Sequence, residues 1–277
     1  MSFVSVVTGA NKGIGFAIVR ALCKKVGGIV ILTARNKERG LKAVQKLNGE
    51  GLEVQFEQLD ITDQESILAF KDIIISKYQG IDILCNNAGI AYKNASTAPL
   101  LEKAMVTNKT NFLATINITH TLLPVIKNNG RICQVSSMAG ILNYSFADTD
   151  NPIRKILISP SLSEEELMNI YTEYIDAVKK NDYSIFKKDS AYSFSKCMLT
   201  AHTQIMGRKF LNDDKNILIN CCCPGYVDTD MSSHKGTLTI DEGAATPVMV
   251  CTLPEGSPNG QFYRNLKHFD WENNVYY

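Results

Sequence analysis

The segment Thr8-Gly-Ala-Asn-Lys-Gly-Ile-Gly15 constrains this chain more than any other. It follows a β-branched run, Phe3 to Thr8, that reads as a buried strand, and it precedes the helical pattern Phe16 to Lys25. Strand, glycine turn and helix in this order bring a backbone close to a phosphate. The glycines remove the side chains, and the first helical turn offers unpaired N–H groups at the positive end of the helix dipole. A tight connection with no ligand would use the same Gly-x-x-x-Gly-x-Gly residues. The placement between the first strand and a helix favours the nucleotide.

The rest of the chain keeps the alternation. Gly28 to Thr33 is a second buried strand, running out into Ala34-Arg35. Ala34 stands where an acid would hold the ribose hydroxyls of NAD. Arg35, with Lys12 in the glycine turn, suits a 2′-phosphate, so NADP is expected over NAD. The alternative is an exposed arginine at a strand end. Residues 37–49 read as a helix, and Glu53 to Leu59 as a third strand with Asp60 at its tip, where an adenine would lie. Asp63 is placed to cap a helix over 64–78. Ile81 to Asn86 is a fourth strand, and Asn86-Asn-Ala-Gly89 after it suits a backbone lying against a ribose, or a plain turn.

A helix is expected from Leu100 to Lys127, closed by Asn128-Asn-Gly130. Asn111 lies inside it, and an amide at mid-helix lowers helix propensity, so it is there to hydrogen-bond something. Gly130 to Ser137 is a fifth strand tipped by Ser136 and Ser137. Strands alternating with helices predict an α/β, doubly wound parallel sheet (a Rossmann fold) whose ligands sit at the strands' carboxyl ends.

Residues of about 143–189 break the rhythm as an insertion too short for its own core, within which Ser163 and Glu166 form a capping box opening a helix over 163–180. The chain is therefore expected to be one domain over 1–277. A helix over 190–211 follows, then a strand from Asn216 to Cys223 and the turn Pro224-Gly-Tyr226. Ser232 to Gly236 is a candidate lid, Thr239 to Leu253 a helix, and Gly260 to Tyr263 a short last strand.

Helix 190–211 carries Tyr192 and Lys196, one turn apart on one face. An ammonium beside a phenol favours phenolate, which is a way to tune a tyrosine for acid–base work. An amphipathic helix with a half-buried tyrosine and a solvated lysine shows the same spacing.

Charge narrows the partners. Across 277 residues, 29 basic and 28 acidic side chains leave a net charge of +1, with no electrostatic footprint for nucleic acid or an anionic membrane. No apolar run is long enough to cross a bilayer, and the N-terminus enters a strand without a basic region or cleavage site, so a cytoplasmic protein is expected. The eight cysteines sit mostly in apolar runs and read as reduced thiols. The four histidines are spread without ligand spacing, so no metal is expected.

Taken together, Gly9/Gly13/Gly15, Asn86-Asn-Ala-Gly89, Asn111, Ser137, Tyr192/Lys196 and Pro224-Gly225 resemble the short-chain dehydrogenase/reductase family over essentially the whole chain. Leu32-Thr-Ala-Arg35, Lys109-Thr-Asn-Phe112, Cys222-Cys-Pro-Gly-Tyr-Val227, Glu242-Gly-Ala-Ala-Thr-Pro-Val248 and the insertion resemble its monomeric NADPH-dependent carbonyl reductases. The resemblance implies reduction of aldehydes, ketones and quinones, with Tyr192 as proton donor and Lys196 lowering the tyrosine pKa and holding the nicotinamide ribose. It implies that Ser137 polarises the carbonyl and that Asn111 holds a water toward Lys196; Ser136 is the rival for the serine role. The implied NADPH/NADP+ contacts are Gly9, Asn11, Lys12, Gly13 and Ile14 at the phosphates, Arg35 at the 2′-phosphate and Asp60 near adenine. Asn86, Ala88 and Gly89 then lie against ribose, Tyr192 and Lys196 at the nicotinamide end, and Val227 and Thr229 near the carboxamide and pyrophosphate. Ser137, Tyr192 and Tyr226 would meet a small-molecule carbonyl substrate; Tyr226 stands where the subfamily often has tryptophan. The insertion implies a monomer. Other functions of this pattern are an NADP-dependent dehydrogenase of a secondary alcohol, such as a prostaglandin, and a non-catalytic NADP-binding redox sensor.

Overall fold

The computed structural model describes residues 2–276 apart from Asn94, Ala147, Thr149 and Asn212. Short apolar strands and amphipathic helices alternate as β1 (Val4–Val7), α1 (Gly13–Lys25), β2 (Ile29–Ala34), α2 (Lys37–Gly49), β3 (Val54–Gln58), α3 (Gln64–Ile73) and β4 (Ile81–Asn86). Then come α4 (Leu100–Asn108), α5 (Ala114–Leu122), β5 (Ile126–Val135), α6 (Leu142–Ser145), α7 (Pro152–Leu157), α8 (Glu164–Lys180), α9 (Ala191–Lys209) and β6 (Leu218–Cys223). The chain ends with α10 (Ile240–Cys251), β7 (Phe262–Arg264), β8 (Lys267–Asp270) and β9 (Val275–Tyr276).

The strands form one sheet in the order β3-β2-β1-β4-β5-β6-β7-β8-β9. The pairs from β3 through β7 are parallel, and β8 and β9 add an antiparallel edge. Strands of a sheet covered on both faces are apolar throughout, and β1 and β6 are buried at every position. Val7 pairs with Leu32 on one side and Cys85 on the other, so the strand order reverses between β1 and β4. That reversal opens a crevice at the carboxyl ends of β1 and β4, where an open α/β sheet binds its ligand.

One face of the sheet is covered by α1, α2 and α10, with Phe16, Leu22, Leu47 and Val248 on Val7, Leu32 and Cys222. The other face is covered by α3, α5 and α9, with Phe70, Ile118 and Met206 on Val6, Ile31 and Ile219. Residues from α6 to Phe186 have no separate core: Ile153, Leu157, Leu167, Ile170 and Tyr174 share one cluster with Phe194 and Met198 of α9. Tyr174 stacks on Phe194 with ring centroids 3.8 Å apart. The capping box of Ser163 and Glu166 opens α8 as its sequence predicts, and Asp63 caps α3 through Glu65 N.

Two expectations are corrected. The helix expected over 100–127 ends at Leu122 and is interrupted at Lys109–Leu113 by a π-helical turn. Pro124 lies in a 3₁₀ turn, Leu123–Val125, and lacks the N–H that would continue the helix, while Ile126 is drawn into pairing with Ile81. The expected last strand is followed by a further hairpin, β8–β9, which the expectation lacked. Its strands are short and their antiparallel partners lie next in sequence, so the cue is a turn rather than a hydrophobic period. Trp271 beside it is 3% exposed.

Candidate active site

The glycine turn leaves β1 at Thr8 and enters α1. Gly9 and Gly13 hold φ near +60°, and a Cβ at Gly9 would stand 2.8 Å from Ala88 Cα. A Cβ at Gly15 would meet Asn87 Nδ2 at 2.4 Å. Thr8 ties the two strand ends together: its Oγ1 accepts from the N–H groups of Asn87 and Ala88, both at 3.0 Å. Asn87 donates in turn to the carbonyls of Thr8 and Gly9, at 2.9 and 3.2 Å. Thr8 and Asn87 were not among the expected site residues; their signal was the pair of Thr-Gly and Asn-Asn dipeptides at two strand ends. Asn86 turns the other way, is 3% exposed, and donates to Thr119 Oγ1 at 3.0 Å.

Asn111 sits in the π-helical turn, a departure from regular helix that frequently marks a functional site. Its Oδ1 accepts from Ile90 N at 2.8 Å, and its Nδ2 donates to Ile90 O at 2.9 Å and to Ser195 Oγ at 3.1 Å. A Cβ on Gly89 would stand 3.2 Å from Asn111 Oδ1 and 3.5 Å from Lys196 Nζ, so β4's exit, α9 and the π turn converge there. A cleft of about 460 Å³, lined by Ile90, Tyr92, Lys93 and Val106 among others, adjoins through Ile90.

The two serines after β5 separate. Ser136 is 2% exposed, donates to Lys196 O at 3.1 Å and lies 2.8 Å from Thr200 Oγ1. Ser137 opens the 3₁₀ turn Met138–Gly140, accepts from Ala139 N at 3.1 Å, and hydrogen-bonds Tyr192. Gly140 lets this turn lie directly on α9, since a Cβ there would meet the Lys196 backbone carbon at 2.6 Å. Sequence reasoning passed over Gly140 as well.

Lys196 is 4% exposed and donates to Val135 O at 2.7 Å. Burial lowers its pKa to about 8. Its Nζ lies 5.9 Å from the centroid of the Tyr192 ring. Tyr192 does not have the lowered pKa that its spacing from Lys196 suggests. Desolvation is the largest influence and pushes the phenol up to about 12, the Ser137 hydrogen bond opposes it, and Cys223 adds to the rise. The phenol is thus held protonated at neutral pH. Cys223 itself is 4% exposed and raised by burial, the state of an inert thiol.

The remaining expected residues lie along the same edge. Arg35 follows β2, exposed, and its guanidinium has no hydrogen bond or ion pair among the described residues. Asp60 accepts from Thr62 N and Thr62 Oγ1 at 2.9 and 2.7 Å. Val227 is 3% exposed and packs against Gly243, while Tyr226 is 54% exposed. Thr229 approaches the glycine turn, 3.4 Å from a Cβ built on Gly13. Over this turn Lys12 pairs with Asp230, and His234 bridges Asp228 and Asp230 at 2.7 and 3.1 Å. The loop expected as a candidate lid is tied down by these contacts.

The site fits a dinucleotide phosphate. α1 starts without a side-chain cap or an acid in its first turn, whereas α2, α3, α8 and α10 are capped by side chains. Its first N–H groups are left for an anion beside glycines that leave the approach clear.

A family model described as short chain dehydrogenase matches residues 4–148. Carbonyl reductase [NADPH] 1 of Mus musculus is 43% identical over 274 residues, covering 97% of this chain and 98% of the relative. Carbonyl reductase [NADPH] 3 of Mus musculus is 42% identical, covering 98% and 99%. The solved structure of salutaridine reductase from Papaver somniferum superposes with a TM-score of 0.83 at 30% identity, covering 94% of this chain and 99% of that one.

Proposed function

This chain belongs to the short chain dehydrogenase family, and on that premise we propose that it is an NADPH-dependent carbonyl reductase that turns aldehydes, ketones and quinones into alcohols. The observation that carries this is the convergence of Ser137, Tyr192 and Lys196 at the carboxyl edge of the sheet that also presents the uncapped glycine turn.

Bound NADPH would supply the hydride that the carbonyl carbon takes up. Tyr192, protonated at neutral pH, gives its phenolic proton to the carbonyl oxygen as negative charge develops there. The Ser137 hydroxyl donates to the same oxygen and steadies it. Lys196, charged and one turn away, limits the cost of the phenolate that remains. Asn111 holds Ile90 and Ser195 in place, and its Oδ1, near Gly89 as Lys196 Nζ is, has a second lone pair to accept from a water that returns a proton.

The cofactor phosphates are assigned to Gly9, Asn11, Lys12, Gly13 and Ile14, and the 2′-phosphate to the exposed Arg35. Asp60 takes the adenine end, the backbone of Asn86, Ala88 and Gly89 the ribose, and Val227 and Thr229 the carboxamide and pyrophosphate. Exposed Tyr226 stands at the substrate mouth. The insertion packs onto α9, one of the faces through which related chains pair, which supports a monomer. Among the described residues no helix is long and apolar enough to cross a membrane.

The test is NADPH consumption with quinones, aldehydes and keto-steroids. Tyr192→Phe should keep NADPH binding and lose turnover by about 10²–10⁴-fold. Turnover that survives the substitution refutes the mechanism.

A further inference from the structure

Histidines that are far apart in sequence meet on the back of the catalytic helix. His120 lies in the last turn of α5, His202 in the middle of α9, and Glu164 is the first residue of α8. His120 Nε2 is 2.9 Å from Glu164 Oε2, and His202 Nε2 is 3.9 Å from the same oxygen. One ligand atom from each of the three falls within 4.8 Å of the others. The two rings stand nearly perpendicular, with centroids 5.5 Å apart. The sequence expectation of scattered histidines is corrected, because helix packing brings together what spacing does not.

We propose that His120, Glu164 and His202 form a binding site for a zinc-class divalent metal ion that fastens the insertion helix α8 to α5 and α9.

The buried histidine is the independent observation. His202 is fully buried, and neither of its ring nitrogens has a hydrogen-bond partner among the described residues. A buried polar group left unpaired is costly, and an apolar side chain would fill the same space without that cost. His202 Nε2 points at the carboxylate that would complete the site.

The carboxylate has no capping duty and already lies on His120. The N-terminus of α8 is capped by Ser163 and Glu166, so Glu164 is not spent on capping. Arg208 donates to Leu162 O at 2.7 Å, which holds the entry to α8 against α9. The His120 and Glu164 side chains keep 35% and 39% of their surface exposed, which gives an ion a way in and a water a fourth position. Two imidazoles and one carboxylate are a donor set for zinc rather than for magnesium or calcium, which prefer oxygen. Ligands about 2.0–2.1 Å from zinc lie about 3.3 Å from one another, so closing the site takes only small side-chain shifts.

The full-length protein, treated with chelator, is titrated with zinc by calorimetry and with cobalt(II) by absorption. The proposal expects one ion per chain, visible cobalt bands without a near-ultraviolet thiolate band, and a rise in Tm with zinc. His120→Gln and Glu164→Gln, both at half-exposed positions, should each weaken binding by more than about 100-fold, beyond what loss of an outer-shell partner costs, and abolish the rise in Tm. Retained NADPH-dependent turnover in these variants shows that they are folded. Absence of stoichiometric binding overturns the proposal. So does undiminished affinity in both variants, or a thiolate band, which would place the ion on cysteines such as Cys85, Cys133 and Cys251.

Discussion

Ser136 donates its hydroxyl to the backbone carbonyl of Lys196 at 3.1 Å, and so locks the end of β5 onto α9. Its neighbour Ser137 is thereby the serine left to face Tyr192. Ser137→Ala should lower kcat with NADPH and a ketone by about 10²–10³-fold, as loss of one donor to a developing oxyanion does. Ser136→Ala should keep most of the turnover and lose about 0.5–1.5 kcal/mol in urea denaturation. The reverse pattern would exchange the two roles.

Arg35 carries an exposed guanidinium with no partner among the described residues, and Ala34 before it brings no carboxylate. Arg35→Ala should weaken NADPH by about 10–100-fold, the loss of charge-assisted hydrogen bonds to a phosphate, and leave NADH nearly unchanged. Binding titrations with both cofactors read the difference. Equal weakening would place the 2′-phosphate elsewhere.

Lys196 is buried with a carbonyl but no carboxylate beside it, and its pKa is lowered to about 8. A folded value below the unfolded one means that the charged lysine opposes folding at neutral pH. The unfolded chain binds the extra proton between about pH 8 and the ordinary lysine value, so this group's penalty fades as pH rises through that window. Lys196→Met should therefore abolish activity yet raise stability at pH 7 by on the order of 1 kcal/mol, and by less at pH 10. Thermal denaturation at the two pH values checks it, and a lower Tm at pH 7 would contradict it.

The loop over the glycine turn has its own pH window. His234 is raised by hydrogen bonds to Asp228 and Asp230, so its contribution is present below the ordinary histidine value and lost as pH rises through the raised one. Asp230 is lowered, first by its hydrogen bond to Lys12, so its contribution is present above the ordinary carboxylate value and lost as pH falls through the lowered one. Both groups are exposed, so the effect is small and screened by salt. Hydrogen-exchange protection of residues 228–235 should decline as pH rises past the ordinary histidine value and through the raised one, and the decline should vanish in His234→Gln. Protection that is flat with pH in the unaltered protein would show that the bridge does not hold the loop.

Much of this site was legible before folding. The glycine turn, the strand-tip residues and the Tyr192/Lys196 spacing follow from local periods: two residues for strands, about four for the helix face. The capping box at Ser163 likewise needs only its own four residues. What failed were statements about neighbours. The long helix stopped at Leu122, before Pro124, because β4 recruited Ile126, and the tail gained a hairpin because β7 offered an open edge.

The sequence by itself determined the alternation, the glycine turn and the Tyr192/Lys196 spacing, because each rests on residues within one or two turns of each other. Only the tertiary structure decided which serine faces Tyr192, that Asn86 turns inward while Asn87 bridges the strand ends, and that the phenol's pKa rises rather than falls. It alone brought His120 to His202. Burial and the approach of distant segments set those outcomes, since desolvation and packing depend on what surrounds a side chain and not on what precedes it in the chain.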